Sequence, residues 1–305
     1  MKLVTYVEGG ERRAGLVVGD FVIDLERASS EGRYGSQKVK PLPASLSQLL
    51  GEGDEALEDC SRIESYFAHL PVVKYPVRFC RPLQEVKLAP PIPDPQKIIC
   101  IGMNYKDHCE EQKKPLPEKP VIFAKFPTAL IGHNEPIVRP LVTEQLDYEA
   151  ELAVVIGKKG RNIPEPEGLS HVGGYTIMND VTARDIQFSD GQWVRGKSFD
   201  TFAPTGPYLT TRDEVPDPHT LSIRLTVNGE LRQNSTTANM VFSVSFLVSY
   251  VSQACTLLPG DIISTGTPGG VGVFRKPPAF LEPGDIVSIE IDMLGTLENR
   301  VEAAH

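Results

Sequence analysis

Three acidic side chains occur in stretches of the sequence that otherwise have the apolar character of buried strands. Glu149 and Glu151 lie in the run LDYEAELAVVIG, and Asp180 ends the run GGYTIMND. Burying a carboxylate without a partner costs several kcal/mol, so these acids are expected to pair with cations or to hold a metal ion. A strand places Glu149 and Glu151 on one face, about 6 to 7 Å apart at Cα. The pattern therefore predicts an oxygen-lined cation site.

The kind of ion follows from the ligand atoms. Carboxylate oxygens suit Mg²⁺ or Mn²⁺, with Ca²⁺ as a substitute, whereas Zn²⁺ would favour His or Cys ligands in a spacing that this sequence lacks. The E-x-E pattern alone leaves a second interpretation open. In that interpretation Glu149 and Glu151 lie on a solvated strand face and pair with Lys or Arg.

Composition limits the classes of function. The chain has 305 residues and a net charge of -9, and without any Lys/Arg run this argues against a nucleic-acid partner. No run of about 18 apolar residues and no secretory leader pattern is seen, so we expect no membrane association. The five cysteines are scattered and odd in number, which favours reduced thiols and a cytoplasmic location. A mitochondrial matrix location stays open, although no transit-peptide pattern is apparent.

The elements that must position these acids divide the chain into three parts. Residues 1–70 predict a small β-rich domain, with strands that form a hairpin and a helix over residues 52–69. Residues 71–96 carry recurrent prolines and predict an extended linker laid on the surface. Residues 97–305 are dominated by strand patterns without regular helical crossovers, and their helix candidates are Tyr105–Lys113 and Ser243–Ala254. The predicted fold class is α+β, mainly β.

Six sequence blocks, taken in order, resemble the catalytic domain of the fumarylacetoacetate hydrolase superfamily. They span Lys97 to Val301 and read KIICIGMNYKDHCEE, LDYEAELAVVIGK, GGYTIMNDVTARD, GKSFDTFAPTGP, VNGELRQ and LPGDIISTGTPGGVG. The resemblance implies a mixed β-sandwich roll, usually a homodimer, with Mg²⁺ or Mn²⁺ on Glu149, Glu151 and Asp180. With the small N-terminal domain and the motif GVFRKPP, the chain is most similar to the subgroup of acylpyruvate hydrolases and oxaloacetate decarboxylases.

The resemblance also implies a reaction. The substrate would be a small 2-oxo acid or 1,3-diketo acid, and the main expectation is hydrolysis of a carbon–carbon bond next to its ketone, with the ion as Lewis acid. The alternatives are an oxaloacetate decarboxylase, a 2-oxo acid tautomerase or isomerase, and a catalytically silent metal-binding scaffold. Lys197, in GKSFD, matches the family lysine beside the metal, and we expect it to hydrogen-bond a substrate oxygen or to carry a proton. A salt bridge from Lys197 to Asp200 or Glu149 is the competing interpretation.

His108 and Glu111 are predicted to form a catalytic dyad. They are three residues apart in a helix candidate, so they project from one face, and Glu111 can orient the imidazole. The dyad could activate a water. The segment from Asn104 to Pro117 resembles a lid that orders on substrate binding, which predicts flexibility there. Without the resemblance, a surface histidine is the competing interpretation.

Five further residues are predicted to bind substrate. Arg184 and Gln187 match positions near the substrate carboxylate, although Arg184 could equally brace Asp180 or Asp185. The glycine-rich run TGTPGG can present backbone N–H groups and a threonine hydroxyl to an anion, or can simply be a turn. The complete set is Tyr105, Arg184, Gln187, Gly266 and Thr267.

Overall fold

The computed structural model describes residues 1–304, so the last residue of the predicted domain 97–305 lies outside the described part. The predicted fold class, α+β and mainly β, is confirmed. The strands are β1 Lys2–Glu8, β2 Glu11–Val18, β3 Phe21–Asp24, β4 Arg33–Tyr34, β5 Gln37–Lys38, β6 Cys80–Pro82, β7 Lys87–Ala89, β8 Ile98–Gly102, β9 Val121–Lys125, β10 Leu130–Ile131, β11 Ile137–Arg139, β12 Leu146–Asp147, β13 Ala150–Ile156, β14 Val172–Asn179, β15 Thr182–Ala183, β16 Ala203–Thr211, β17 Ser222–Val227, β18 Glu230–Thr236, β19 Ile262–Ser264, β20 Ile286–Ile291 and β21 Gly295–Ala303. The helices are α1 Leu25–Ser29, α2 Leu46–Gly51, α3 Asp54–Ala68, α4 Lys106–Glu111, α5 Arg184–Ser189, α6 Val194–Lys197 and α7 Val244–Ala254.

Two sheets form the body of the molecule. The larger has 12 strands, most of them in the order β6-β3-β2-β1-β16-β14-β13-β19-β8-β9, and the smaller has five in the order β11-β21-β20-β17-β18. β13 is buried on both faces, because Leu152 and Val154 enter the core shared with the smaller sheet. On its other face, Ala153 and Val155 enter a second core together with α2 and α3. This double burial explains why the strand is a continuous apolar run rather than an alternating one.

The N-terminal region continues the sheet of the catalytic region. β1 and β2 form the predicted hairpin, and α3 corresponds to the predicted helix over residues 52–69. β1 also pairs with β16, where Leu3 lies opposite Leu209, so backbone hydrogen bonds join the two regions. The division of the chain near residue 97 remains a prediction.

The prediction of a surface linker over residues 71–96 is wrong from Cys80 onward. β6 pairs with β3 and β7 pairs with β1, and Leu88, Ala89 and Ile92 are buried. Prolines are tolerated here because they lie at strand ends and along the sheet edge, where no partner strand needs their missing N–H. The hydrophobic residues between the prolines indicate burial, but the high proline content of the segment hid this signal.

The two helix candidates of the catalytic region are confirmed, since α4 and α7 lie within them. The short helices α5 and α6 were not anticipated, because four to six residues are too few to show a 3.6-residue period. Among residues 1–304, the helices are all too short or too polar to cross a membrane.

Candidate active site

The three predicted acids converge at one end of the β13–β14 pair. Ala150 lies opposite Asn179 in the antiparallel register, so the start of β13 meets the end of β14. The Asp180 N–H then donates to the Glu149 carbonyl, with a nitrogen–oxygen distance of 2.9 Å. One carboxylate oxygen from each of Glu149, Glu151 and Asp180 lies within 4.8 Å of the others, and all three residues are buried. Strand pairing therefore creates the cluster from acids about 30 residues apart.

Two of the three acids contact basic side chains. Lys197 Nζ donates to Glu149 Oε2 at 2.7 Å and to Asp180 Oδ2 at 2.8 Å. Arg184 Nη2 lies 2.6 Å from Glu149 Oε1. Lys125 Nζ donates to Asp180 Oδ1 at 2.6 Å. Pairing with Lys and Arg, the competing interpretation of the E-x-E pattern, is thus found for Glu149, but in a buried setting rather than on a solvated face.

Glu151 has no basic partner. Among residues 1–304, no Lys, Arg or His nitrogen lies within 4.0 Å of its carboxylate, which instead accepts from Ser264 Oγ–H and from the Gly266 N–H at 3.0 Å. Burial, reinforced by the negative charges of Asp180 and Glu149, raises the pKa of Glu151 well above its ordinary value. At Glu149, burial also favours the neutral acid, but Lys197 and Arg184 outweigh it and lower the pKa to about 2.

The donor set fits a hard divalent cation. Three buried carboxylate oxygens within 4.8 Å of one another are the ligands that Mg²⁺, Mn²⁺ and Ca²⁺ share. A dication would also give Glu151 the positive partner that the protein does not supply. The arrangement of the acids is therefore that of a metal centre rather than of a closed ion-pair network.

A histidine and a glutamate line up beside this cluster, as predicted. His108 Nδ1 lies 2.6 Å from Glu111 Oε1, and Glu111 Oε2 accepts from the Gly270 N–H at 2.8 Å. The Gln112 side-chain nitrogen lies 2.7 Å from His108 Nε2, so Nε2 is the acceptor and Nδ1–H donates to Glu111. His108 is only 6% exposed, which rules out the competing interpretation of a surface histidine.

One pocket of about 490 Å³, counted with its open mouth, brings most of the predicted residues together. Of the predicted residues, those that line it are His108, Glu149, Glu151, Arg184, Gln187, Lys197 and Thr267. Asp180 and Glu111 lie behind this lining and contact it through Lys197 and His108. The remaining walls include Gln112, Lys114, Phe123, Phe188, Trp193 and Phe274.

The structure does not bring two of the predicted substrate-binding residues into the pocket. Tyr105 is fully buried in the hydrophobic core, does not line the pocket, and has no hydrogen-bond partner for its hydroxyl. Gly266 directs its N–H at Glu151, so it orients an acid of the cluster instead of a substrate carboxylate. Tyr105 precedes α4 and Gly266 follows β19, and in both cases a local motif could not show which way the group points.

Arg184 does brace an acid, but neither of the two that the sequence suggested. Its Nε donates to Asp147 Oδ2 at 2.8 Å, and its Nη2 contacts Glu149 as described above. Gln187 Oε1 accepts from Arg184 Nη1 at 3.0 Å, so the two residues are also joined to each other. The Thr267 hydroxyl lines the pocket and accepts from Gln233 Nε2 at 2.8 Å.

Two charged residues of the site were not anticipated. Lys125 is buried at the end of the apolar run VIFAK, and the same test that singled out the acids, a charge in an apolar strand, would have found it. Asp147 accepts from the N–H groups of Gly272 and Val273 at 2.7 and 3.0 Å, which ties the glycine-rich loop to the strand that leads to Glu149.

Because Glu151 has no basic partner, we expect an unusual pH dependence of stability in the metal-free protein. Because the folded-state pKa of Glu151 is raised, the folded chain binds its proton more tightly than the unfolded chain does. The contribution of this group to stability is therefore present below about pH 4.3 and is lost as the pH rises towards the folded-state pKa. Melting temperatures in chelator between about pH 5 and about pH 8 should fall more steeply for the native protein than for Glu151→Gln. Parallel curves would contradict the raised pKa.

The fold and the site together define a class of protein: a mixed β-sandwich with a buried Glu-Glu-Asp cluster that can hold a metal ion and an adjacent His-Glu pair. The chain matches the family described as fumarylacetoacetate (FAA) hydrolase C-terminal over residues 97–302, which is more than half of its length. It therefore belongs to the fumarylacetoacetate hydrolase family, as the sequence blocks indicated.

Relatives of known name are similar over nearly the whole chain. The chain is 48% identical to a mitochondrial oxaloacetate tautomerase of Xenopus laevis over 262 residues, or 85% of this chain and 79% of the relative. It is 44% identical to a mitochondrial oxaloacetate tautomerase of Homo sapiens over 292 residues, or 95% of this chain and 90% of the relative. A maleylpyruvate hydrolase from Sphingobium, solved with manganese(II) and pyruvate, is 30% identical with a TM-score of 0.79, and the match covers 100% of both chains.

Proposed function

We propose that this chain is a divalent-metal-dependent tautomerase that interconverts the keto and enol forms of oxaloacetate or a closely similar 2-oxo acid. The observation that carries the proposal is the Glu149–Glu151–Asp180 cluster with Lys197 and His108 beside it, in a chain 44% identical over 95% of its length to an oxaloacetate tautomerase. The sequence blocks implied tautomerisation as an alternative and hydrolysis as the main expectation, and the named relatives support tautomerisation better than hydrolysis.

The carboxylates of Glu149, Glu151 and Asp180 would hold Mg²⁺ or Mn²⁺. When bound, such an ion supplies Lewis-acid polarisation of a 2-oxo group. Lys197 and Arg184 keep Glu149 ionised, and Lys125 and Lys197 hold Asp180 from its two oxygens. Glu149 and Asp180 are therefore held in position before any ligand arrives, which is the preorganisation that catalysis requires.

Tautomerisation moves one proton and needs no attacking water. The C3–H bond breaks, its electron pair forms the C2–C3 double bond, and the 2-oxygen gains a proton. His108 lines the pocket, and its Nε2 is an acceptor that the Gln112 amide occupies in this structure. Once substrate displaces that amide, Nε2 is suited to take the C3 proton, while Glu111 stabilises the resulting imidazolium. The ammonium of Lys197 is suited to hydrogen-bond the 2-oxygen and to supply the proton there. Acid and base thus line the same pocket.

Hydrolysis of an acylpyruvate is the second candidate. It is favoured by the same His108–Glu111 pair, which could position a water, and by the similarity to the maleylpyruvate hydrolase from Sphingobium. Decarboxylation of oxaloacetate would use the cluster and a proton donor without an attacking water. The proposal also includes a homodimer, as the family resemblance implies, and a location in the cytoplasm or, as the names of the relatives suggest, in mitochondria.

The deciding experiment separates these reactions. Chelator-treated protein, reloaded with Mg²⁺ or Mn²⁺, is mixed with enol-oxaloacetate, and the decay of enol absorbance is compared with the rate in the same buffer without protein. Release of pyruvate from oxaloacetate reports decarboxylation. Cleavage of acetylpyruvate or fumarylpyruvate, each offered as a separate substrate, reports hydrolysis. Faster enol decay without pyruvate release supports the tautomerase. Cleavage of an acylpyruvate without faster enol decay would contradict the tautomerase and support the hydrolase. Metal binding without any turnover would favour a catalytically silent scaffold.

His108 gives a further prediction. His108→Asn should lower kcat for tautomerisation by about 100-fold or more, since a positioned general base contributes about 10² to 10⁴. The Kd for Mg²⁺ should not change, because His108 contacts none of the three acids. Calorimetric metal titration and the enol assay check both values, with the exposed His69→Asn as matched control. Equal losses of metal binding and activity would refute the role.

A further inference from the structure

One basic side chain of the pocket has no acidic partner. Arg184, Lys197 and Lys114 are the Lys and Arg residues that line it. The first two each contact two buried carboxylates, so their charges are opposed within the protein. For Lys114, no carboxylate oxygen within residues 1–304 lies within 4.0 Å of Nζ. Lys114 is therefore the lysine or arginine of this pocket whose charge is available to a ligand.

The backbone fixes the position of Lys114. After α4, the Lys113 N–H donates to Glu110 O at 2.9 Å and the Lys114 N–H donates to Cys109 O at 3.0 Å. Lys113 has a φ of 55°, in the left-handed region. These two bonds and that φ are the Schellman motif that ends many helices. The reversal returns Lys114 to the pocket lined by His108, whereas Lys113 does not line it.

Four of the other residues that line the pocket are aromatic. Phe188, Trp193 and Phe274 face the space together with Phe123, and none of them can neutralise an anion. Lys114 is consequently the position at which a distal carboxylate gains a charged hydrogen bond.

We propose that Lys114 binds the distal carboxylate of the substrate and gives the site its preference for 2-oxo dicarboxylates over 2-oxo monocarboxylates of equal length. The inference rests on the proposed function for the orientation, in which the 2-oxo acid end lies at the carboxylate cluster. It adds the substrate class and the residue that selects it.

A matched ligand pair tests the inference without turnover. 2-Oxoglutarate and 2-oxovalerate have the same carbon chain and differ only in a terminal carboxylate. Calorimetry on the Mg²⁺-loaded protein should show 2-oxoglutarate binding about fivefold to tenfold more tightly. Lys114→Met should abolish the difference while leaving the Kd of 2-oxovalerate unchanged, and Lys114→Arg should retain it. The preference should also weaken as salt concentration rises, because the side chain is exposed.

Lys113→Met is the control, since it removes the neighbouring charge from the same turn outside the pocket. A preference that survives in Lys114→Met, an equal effect of Lys113→Met, or no binding of either ligand would overturn the inference. Failure of the proposed function is a separate result. If the native protein shows the binding preference but does not accelerate enol decay, the tautomerase is wrong and Lys114 still selects dicarboxylates.

Discussion

Glu151→Gln is expected to lower the affinity for Mg²⁺ or Mn²⁺ by more than about 100-fold and to abolish tautomerisation. The replacement removes the one acid of the cluster whose charge the protein leaves uncompensated. The amide oxygen can still accept from Ser264 and Gly266, so the local hydrogen bonds survive. Metal titration by calorimetry and the enol assay measure the two losses.

The same variant should stabilise the metal-free protein. Glu151 is 1% exposed and lies against two other acids, so neutralising it should raise the free energy of unfolding in chelator by about 1 to 3 kcal/mol. The exposed Glu167→Gln serves as control and should change neither metal affinity nor stability. If Glu151→Gln bound metal like the native protein, the metal centre would have to lie elsewhere, and the proposed function would fall with it.

Lys197→Met is expected to lower turnover but to raise the affinity for metal, whereas Glu151→Gln is expected to lower both. Enol turnover should fall about 1000-fold, because Lys197 is the group proposed to hydrogen-bond the 2-oxygen and to supply its proton. Affinity for Mg²⁺ should rise, since the ammonium lies 2.7 and 2.8 Å from oxygens of Glu149 and Asp180 and repels a second cation there. Calorimetry and the enol assay on one preparation give both values.

The competition between Lys197 and a metal ion for Glu149 and Asp180 should also change the thermal stability of the protein. Without metal, Lys197→Met leaves Glu149 and Asp180 with one cation fewer, so its melting temperature in chelator should fall, and added Mg²⁺ should restore more stability than in the native protein. Lys159→Met, an exposed lysine on the loop after β13, is the matched control. Native-like turnover in Lys197→Met would exclude Lys197 from the reaction.

The sequence was informative wherever a charge conflicted with its neighbours. Glu149, Glu151 and Asp180 stood out because apolar strands reject unpaired acids, and the alternation along LDYEAELAVVIG placed both glutamates on one face. The three-residue spacing of His108 and Glu111 likewise gave a pair that the structure forms at 2.6 Å. These predictions needed only local geometry, which is the same in any fold that keeps the strand and the helix.

The direction in which a group points, and the residue that it contacts, were harder to predict from the sequence. The Tyr105 side chain points into the core and the Gly266 N–H points at Glu151, although a family pattern had assigned both to substrate. Strands were also hidden among the prolines of residues 71–96, because a sheet edge accepts prolines that a central strand would not.

By itself, the sequence determined that buried acids must meet a cation and that strands carry them, and the family resemblance added that a histidine with its glutamate lies nearby. The tertiary structure alone decided how the charges are shared: Lys125 and Lys197 hold Asp180, Arg184 holds Glu149, and Glu151 and Lys114 remain without a partner of opposite charge in the part of the chain described. Lys125 lies 55 positions from Asp180 in the chain. Such contacts depend on which strands become neighbours, and that is set by the packing of two sheets rather than by any local run of residues.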